Sequence, residues 1–137
     1  FLIESGKPKE TTGEMVKTVE SVKSVESVKT ILNRIEIETK NIEHAIKTKN
    51  EKLFKNCLLN NEILLEKLGV VSEKTKKLIL NLSQFGFGKV TGAGGRETNS
   101  GFILFFSEEK EKLIKYLEEE KINFYKFIQD NKGLTRL

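Results

Sequence analysis

Apolar positions along the chain change their period more than once. Phe1-Leu2-Ile3 is a short apolar run that predicts a strand, ended by a loop containing Gly6 and Pro8. Thr11 or Thr12 can then cap a helix, with Glu14 in its first turn. From Val16 onward a valine recurs every third residue, at Val19, Val22, Val25 and Val28. That spacing drifts around a helix of 3.6 residues per turn, so two shorter helices with a break near 21–27 use the valines better than one straight helix. Ile31, Ile35, Ile42, Ala45, Ile46 and Leu53 predict a longer amphipathic helix, with charges on its other side and His44 beside the stripe. A further helical face runs through Cys57, Leu58, Leu59, Ile63, Leu64, Leu65 and Leu68, closed by Gly69 as a C-cap. Ser72 is placed to cap another helix, in which Leu78, Ile79 and Leu82 face inward.

The segment Phe85-Gly86-Phe87-Gly88 is read as the stop of that helix, and the pattern then turns to strands. Lys89-Val90-Thr91 predicts a short strand, followed by a glycine-rich turn and a second strand over 102–106. Ser107 is expected to cap a helix carrying Leu113, Ile114 and Leu117. Ile122, Phe124, Phe127 and Ile128 suggest a last strand, ended by Asn131-Lys132-Gly133. The order strand, helices, strand, strand, helix, strand indicates an α+β fold: a small antiparallel sheet covered by helices, in one domain over 1–137.

Composition narrows the class. Charged residues make up 32% of the chain and apolar residues 37%, with nine Phe to bury, which is the balance of a polar but folded domain. The longest purely apolar run, Phe102 to Phe106, is far too short to span a bilayer, and no secretory leader is evident. One cysteine and one histidine make neither an internal disulfide nor a zinc site. Cys57 reads as a small core residue, since no histidine stands nearby in sequence to activate it. The net charge of +4 is spread over closely alternating Lys and Glu with only three Arg, a solvated helical surface rather than a nucleic-acid face.

The segment with most chemistry is Phe85-Gly-Phe-Gly-Lys-Val-Thr-Gly-Ala-Gly-Gly95. Glycines let another group approach bare N–H groups, and successive N–H groups aimed one way form a nest for phosphate or carboxylate. A tight strand-to-strand turn would use the same residues. Neither a Walker loop nor a dinucleotide fingerprint is present, because no Gly-Lys-Ser/Thr closes the run and a strand follows it.

Gly88-Lys-Val-Thr-Gly-Ala-Gly-Gly95 resembles the third motif of the superfamily of galactokinase, homoserine kinase, mevalonate kinase and phosphomevalonate kinase. Ile3-Glu-Ser-Gly-Lys-Pro-Lys-Glu-Thr-Thr-Gly-Glu-Met-Val16 resembles the strand, turn and Thr-capped helix that open the C-terminal half of mevalonate kinases. Asn61-Glu-Ile-Leu-Leu-Glu-Lys-Leu-Gly-Val70 resembles the helix and turn before the glycine motif. The three landmarks stand in the family's order, and archaeal-type mevalonate kinases are the members they resemble most.

The resemblance implies a ferredoxin-like C-terminal domain with a four-stranded sheet, serving ATP-dependent phosphoryl transfer to the hydroxyl of mevalonate in isoprenoid biosynthesis. Phosphomevalonate kinase, another superfamily member, and a non-catalytic partner-binding domain are the alternatives. It also implies that ATP and Mg2+ are held mainly by an N-terminal kinase half, on the same polypeptide or a separate chain, and that this chain alone is inactive. The family's phosphate loop, magnesium-holding acid and catalytic Asp and Lys have no counterpart here, so neither a catalytic residue nor a metal ligand is assigned. Thr91, Gly92, Ala93 and Gly94 are carried over as residues lining the cleft, and Thr12 with Ser5 as substrate-side candidates. For Thr12 a plain N-cap is the competing reading. A cytoplasmic location follows from the same resemblance, with no nucleic-acid or membrane partner, and a homodimer is left open.

The family pattern is interrupted by Arg96-Glu97-Thr98-Asn99-Ser100, read as a solvated insertion from which Arg96 could otherwise reach a phosphate or carboxylate. The chain opens on Phe1 inside an apolar run, which points to a missing or separately supplied N-terminal segment. A large exposed apolar face is therefore expected.

Overall fold

The computed structural model describes residues 1–22 and 27–127. Strand β1 (Leu2–Gly6) leads into helix α1 (Thr12–Glu20), whose N-cap is Thr11. The Thr11 hydroxyl accepts the Glu14 backbone N–H, and the Glu14 carboxylate accepts the Thr11 backbone N–H at 2.7 Å, a reciprocal capping box. Helix α2 (Val28–Lys47) starts behind a Ser27 cap, so α1 and α2 are separate helices; residues 23–26 of the expected break lie outside the described residues. Helix α3 (Glu51–Lys67) follows an Asn50 cap. Leu53 belongs to α3 and does not prolong the α2 stripe, because Asn50 accepts the Leu53 backbone N–H and starts a new helix. Beyond α3 the chain reverses at Gly69, whose φ of +72° is the left-handed conformation a helix terminator needs. Helix α4 (Glu73–Leu82) begins at the Ser72 cap.

The strands β2 (Gly86–Thr91) and β3 (Gly101–Ser107) flank the glycine turn, and α5 (Lys110–Glu119) and β4 (Phe124–Tyr125) are the last elements among the described residues. Gly86, Phe87 and Gly88 thus lie in β2 and do not merely stop α4. Phe87 stands opposite Phe106 in the ladder, and their rings stack at 5.8 Å while Phe54 of α3 closes on Phe106 edge-on at 4.7 Å. Ser107 ends β3 where a helix cap was expected. Its hydroxyl donates to the Phe85 carbonyl and accepts the Glu109 N–H, and Glu109 itself is the N-cap of α5 without a side-chain bond. Ile128 and the expected stop at Asn131-Lys132-Gly133 lie outside the described residues.

The four strands form one sheet in the order β2-β3-β1-β4 with every neighbouring pair antiparallel. This is the expected α+β, ferredoxin-like arrangement, with five helices among the described residues. Alternation sorts the strand residues between two faces. Ile3, Val90, Ile103 and Phe105 point to the helical side and join Met15, Leu64, Leu82, Leu113 and Leu117 in one core. Each such side chain contributes about 1.5–3 kcal/mol on burial. The opposite face carries Leu2, Phe87, Phe102, Leu104, Phe106 and Tyr125, of which Phe102 is 39% and Tyr125 53% exposed and the other four are partly buried. Not every apolar helical position is buried: Ile46, Leu59 and Ile63 lie on outward faces.

Among the described residues strand β2 is an edge, paired on one side by β3, and α3 lies along its other side. An edge leaves backbone N–H groups without strand partners. Glu62 of α3, only 4% exposed, takes the Val90 N–H on its Oε2 at 2.7 Å, while its Oε1 is buried with no hydrogen-bond partner among the described residues. Removal from water pushes the Glu62 carboxyl up to about 7; the Val90 N–H counters this, Glu66 adds to it, and Lys89 and Lys76 counter it further. The same burial lowers the Lys89 ammonium below its ordinary value, with Glu62 opposing.

Candidate functional site

The β1–α1 loop and the glycine turn between β2 and β3 face each other at one end of the sheet. Between them lies a cleft of about 410 Å3. Gly6, Lys7, Pro8, Glu10 and Thr12 form one wall and Thr91, Gly92, Ala93 and Gly94 the other, with Glu4 and Phe102 reaching in from the open sheet face. Thr12 and the four glycine-loop residues singled out in the sequence therefore meet in one place. Thr12 is the first residue of α1 and is exposed; the cap itself is Thr11, whose hydroxyl is spent on Glu14, which leaves the Thr12 side chain outside the capping box.

The loop's backbone explains its glycines. Gly92 and Gly94 have φ of +89° and +75°, and a Cβ at Gly94 would overlap the Val70 carbonyl. The close approach is used: Gly95 N–H donates to Val70 O at 2.9 Å, and Val71 and Gly95 form a bridge, so the loop is tied to the turn before α4.

Ser5 is placed differently from Thr12. Its side chain is buried beneath the loop, where its hydroxyl donates to Gly101 O at 2.9 Å and accepts the Ser100 N–H at 3.0 Å. The stretch 96–100 is solvated only in part: Arg96 and Glu97 are exposed, while its far end is built into the fold. Ser100 is buried, donating its hydroxyl to Gly95 O and accepting the Ser72 N–H; the Ser72 hydroxyl in turn donates to Thr98 O. Asn99 donates to Lys7 O at 3.3 Å, and the Arg96 and Glu97 N–H groups both donate to Glu10 Oε1, at 2.9 and 2.8 Å. Segments 86 residues apart in sequence are thereby laced together, which is why neither Glu10 nor Ser100 stood out in a linear reading.

Electrostatically the cleft mixes signs. Burial alone would raise the Glu10 carboxyl, but the backbone N–H groups of Glu10, Glu97, Arg96 and Lys9 outweigh it and hold the group below its ordinary value. Glu4 is occupied by Asn123 Nδ2 and the Tyr125 hydroxyl, each at 3.0 Å. Among the described residues no group of three or more His, Cys, Asp or Glu is placed to hold a metal ion. A larger groove of about 1030 Å3 elsewhere is walled by Phe1, Phe54, Phe87 and Phe106, with Lys55 over the Phe87 ring at 5.4 Å. Its charged groups are surface Lys and Glu rather than convergent buried polar atoms, so the smaller cleft carries the chemistry.

The crystal structure of the Methanococcus jannaschii mevalonate kinase superposes on 89% of the chain with a TM-score of 0.69 and 32% identity. The chain is a mevalonate-kinase-like domain. A second crystal structure of a mevalonate kinase gives the same TM-score and identity over the same share of the chain. The kinase-like domain spans only 36% and 37% of the length of these two solved chains. No protein-family model matches it, and no curated protein sequence does. No helix among its described residues is long and apolar enough to cross a membrane.

Proposed function

We propose that this chain is the C-terminal domain of a small-molecule kinase, forming one wall of the cleft in which ATP phosphorylates the hydroxyl of mevalonate. The observation that carries the reading is the meeting of Thr12 with Thr91–Gly94 across one cleft, in a fold shared with solved mevalonate kinases. Phosphoryl transfer depends largely on positioning and electrostatics, so a rigid wall is a sufficient task for a domain without an acid–base set of its own. Thr12 and the loop Thr91–Gly94 take the substrate side, and Ser5 acts from beneath by holding Ser100 and Gly101.

ATP and Mg2+ do not fit the residues present here. The described residues offer no metal-holding cluster, and the nest at the loop tip is filled by Glu10. On this reading both belong to an N-terminal half, joined to this chain or separate, and the apolar open sheet face is the kind of surface such a half would cover.

The test compares ADP release from ATP, Mg2+ and mevalonate by this chain alone and by this chain with an N-terminal half of mevalonate-kinase type, running phosphomevalonate in parallel. Activity only in the mixture and only with mevalonate is the expected result. Activity with phosphomevalonate alone would move the domain to the neighbouring enzyme. A folded chain that binds the half yet gives no activity with either substrate would overturn the catalytic reading.

A further inference from the structure

The tip of the glycine loop has the chemistry of an anion site: two consecutive backbone N–H groups, at Arg96 and Glu97, converge on one point after a turn with two positive-φ glycines. That point is occupied by Glu10 Oε1, at 2.9 and 2.8 Å, from a segment 86 residues earlier in the chain. The second carboxylate oxygen, Oε2, is buried and has no hydrogen-bond partner among the described residues. A buried oxygen without a partner is costly, and the arrangement is held because the charge-assisted bonds on Oε1 outweigh that cost.

We infer that Glu10 is a positioning residue that serves as an internal anion, filling the nest of its own glycine loop and thereby fixing the width of the cleft, and that an inorganic oxyanion takes the nest only when Glu10 leaves it. Three further contacts run across the same gap and act in the same direction. Lys9 lies 3.6 Å from Glu97, Asn99 donates to Lys7 O, and Pro8 lies against Gly95. The Lys9–Glu97 pair joins exposed side chains, whereas Glu10 places its charge directly on the backbone donors of the loop. The inference concerns this chain by itself and holds whether or not the kinase reading does.

The experiment uses the full chain and its Glu10→Ala and Glu10→Gln variants, followed by the backbone amide resonances of Arg96 and Glu97. In the wild type both amides should titrate together, with a midpoint below the ordinary carboxylate value of 4.5. The charged groups around Glu10 are Lys9 beside it, Glu14 on α1, and Arg96 and Glu97 on the loop, so the midpoint is read against Glu14 as an internal control. In Glu10→Ala, amide exchange at 96 and 97 should quicken about tenfold or more, the loss expected when a charge-assisted bond is removed. Inorganic phosphate should then shift those two amides in Glu10→Ala and leave them unmoved in the wild type. Glu10→Gln, which keeps an acceptor without the charge, should restore part of the exchange protection and abolish the titration. Amides that ignore the protonation of Glu10 in the wild type would overturn the inference without any variant. Phosphate shifting these amides equally in wild type and Glu10→Ala would overturn it too, because the nest would then not be filled from within.

Discussion

Glu62 offers the sharpest test of the packing, because one buried carboxyl caps the edge of the sheet with a single oxygen while the other has nothing to bind. Its pKa stands at about 7 against an ordinary 4.5, chiefly through loss of hydration. The folded chain therefore binds this proton more tightly than the unfolded chain does. The contribution to stability is fully present below about 4.5 and is lost as pH rises through about 7. At about 1.4 kcal/mol per pH unit the ceiling is about 3 kcal/mol. Glu62→Gln keeps an acceptor for the Val90 N–H and cannot ionise. Urea unfolding of both proteins from pH 4.5 to 8 should show the variant gaining up to about 3 kcal/mol on the wild type across that range. Taking the difference between the two proteins cancels the titrating groups that do not interact with Glu62, which leaves Glu66, Lys76 and Lys89 as its coupled neighbours. Glu62→Ala strands the Val90 N–H and should cost about 1–3 kcal/mol even at the acid end. A wild-type minus Glu62→Gln difference that stays flat with pH would refute the reasoning, since it would mean the carboxyl is hydrated in the folded state.

The cap assignment predicts that Thr11→Ala lowers stability by about 1 kcal/mol, whereas Thr12→Ala stays within about 0.5 kcal/mol in the same denaturation assay. Equal losses would put the cap at the wrong threonine and remove the argument that the Thr12 side chain is available to the cleft. Cys57 is buried on α3, and desolvation, helped by Glu38, pushes its thiol up to about 11. Alkylation by iodoacetamide at pH 8 should therefore run about a hundredfold or more slower in the native chain than in urea; a native rate close to the unfolded one would show the thiol exposed.

What the sequence could reveal followed the range of the interaction. Helix caps at Thr11, Ser72 and Gly69 are set by residues within four positions, and the amphipathic stripes bury against a core whichever way the sheet is ordered. Elements built from distant partners were less legible. Gly86 to Gly88 looked like punctuation because their role as strand residues depends on Phe106 and Phe105, some twenty positions away. The stretch 96–100 looked wholly solvated for the same reason: its backbone N–H groups bind Ser5 and Glu10, and its Asn99 and Ser100 side chains bind Lys7 and Ser72, none of them neighbours in sequence. Glu62 does carry a local signal, since it shares a helical face with Leu58 and Leu65, which are buried and partly buried. In the cleft, residue types identified the glycine loop, but only the fold shows that its nest is already filled.

The place of β1 in the sheet bears on how the chain acquires its structure. Leu2 stands opposite both Leu104 and Tyr125, so a strand near one end of the sequence waits for two partners more than a hundred residues later. At about 5–20 residues per second of synthesis, that interval is on the order of 5–25 s on the ribosome. Helices α1 to α4 can form and collapse on one another in that time, but the sheet cannot close. The high contact order of β1 makes its docking a late and slow event. Until then an apolar strand has both edges unpaired, which adds a hazard in the nascent chain to the open apolar face of the finished fold.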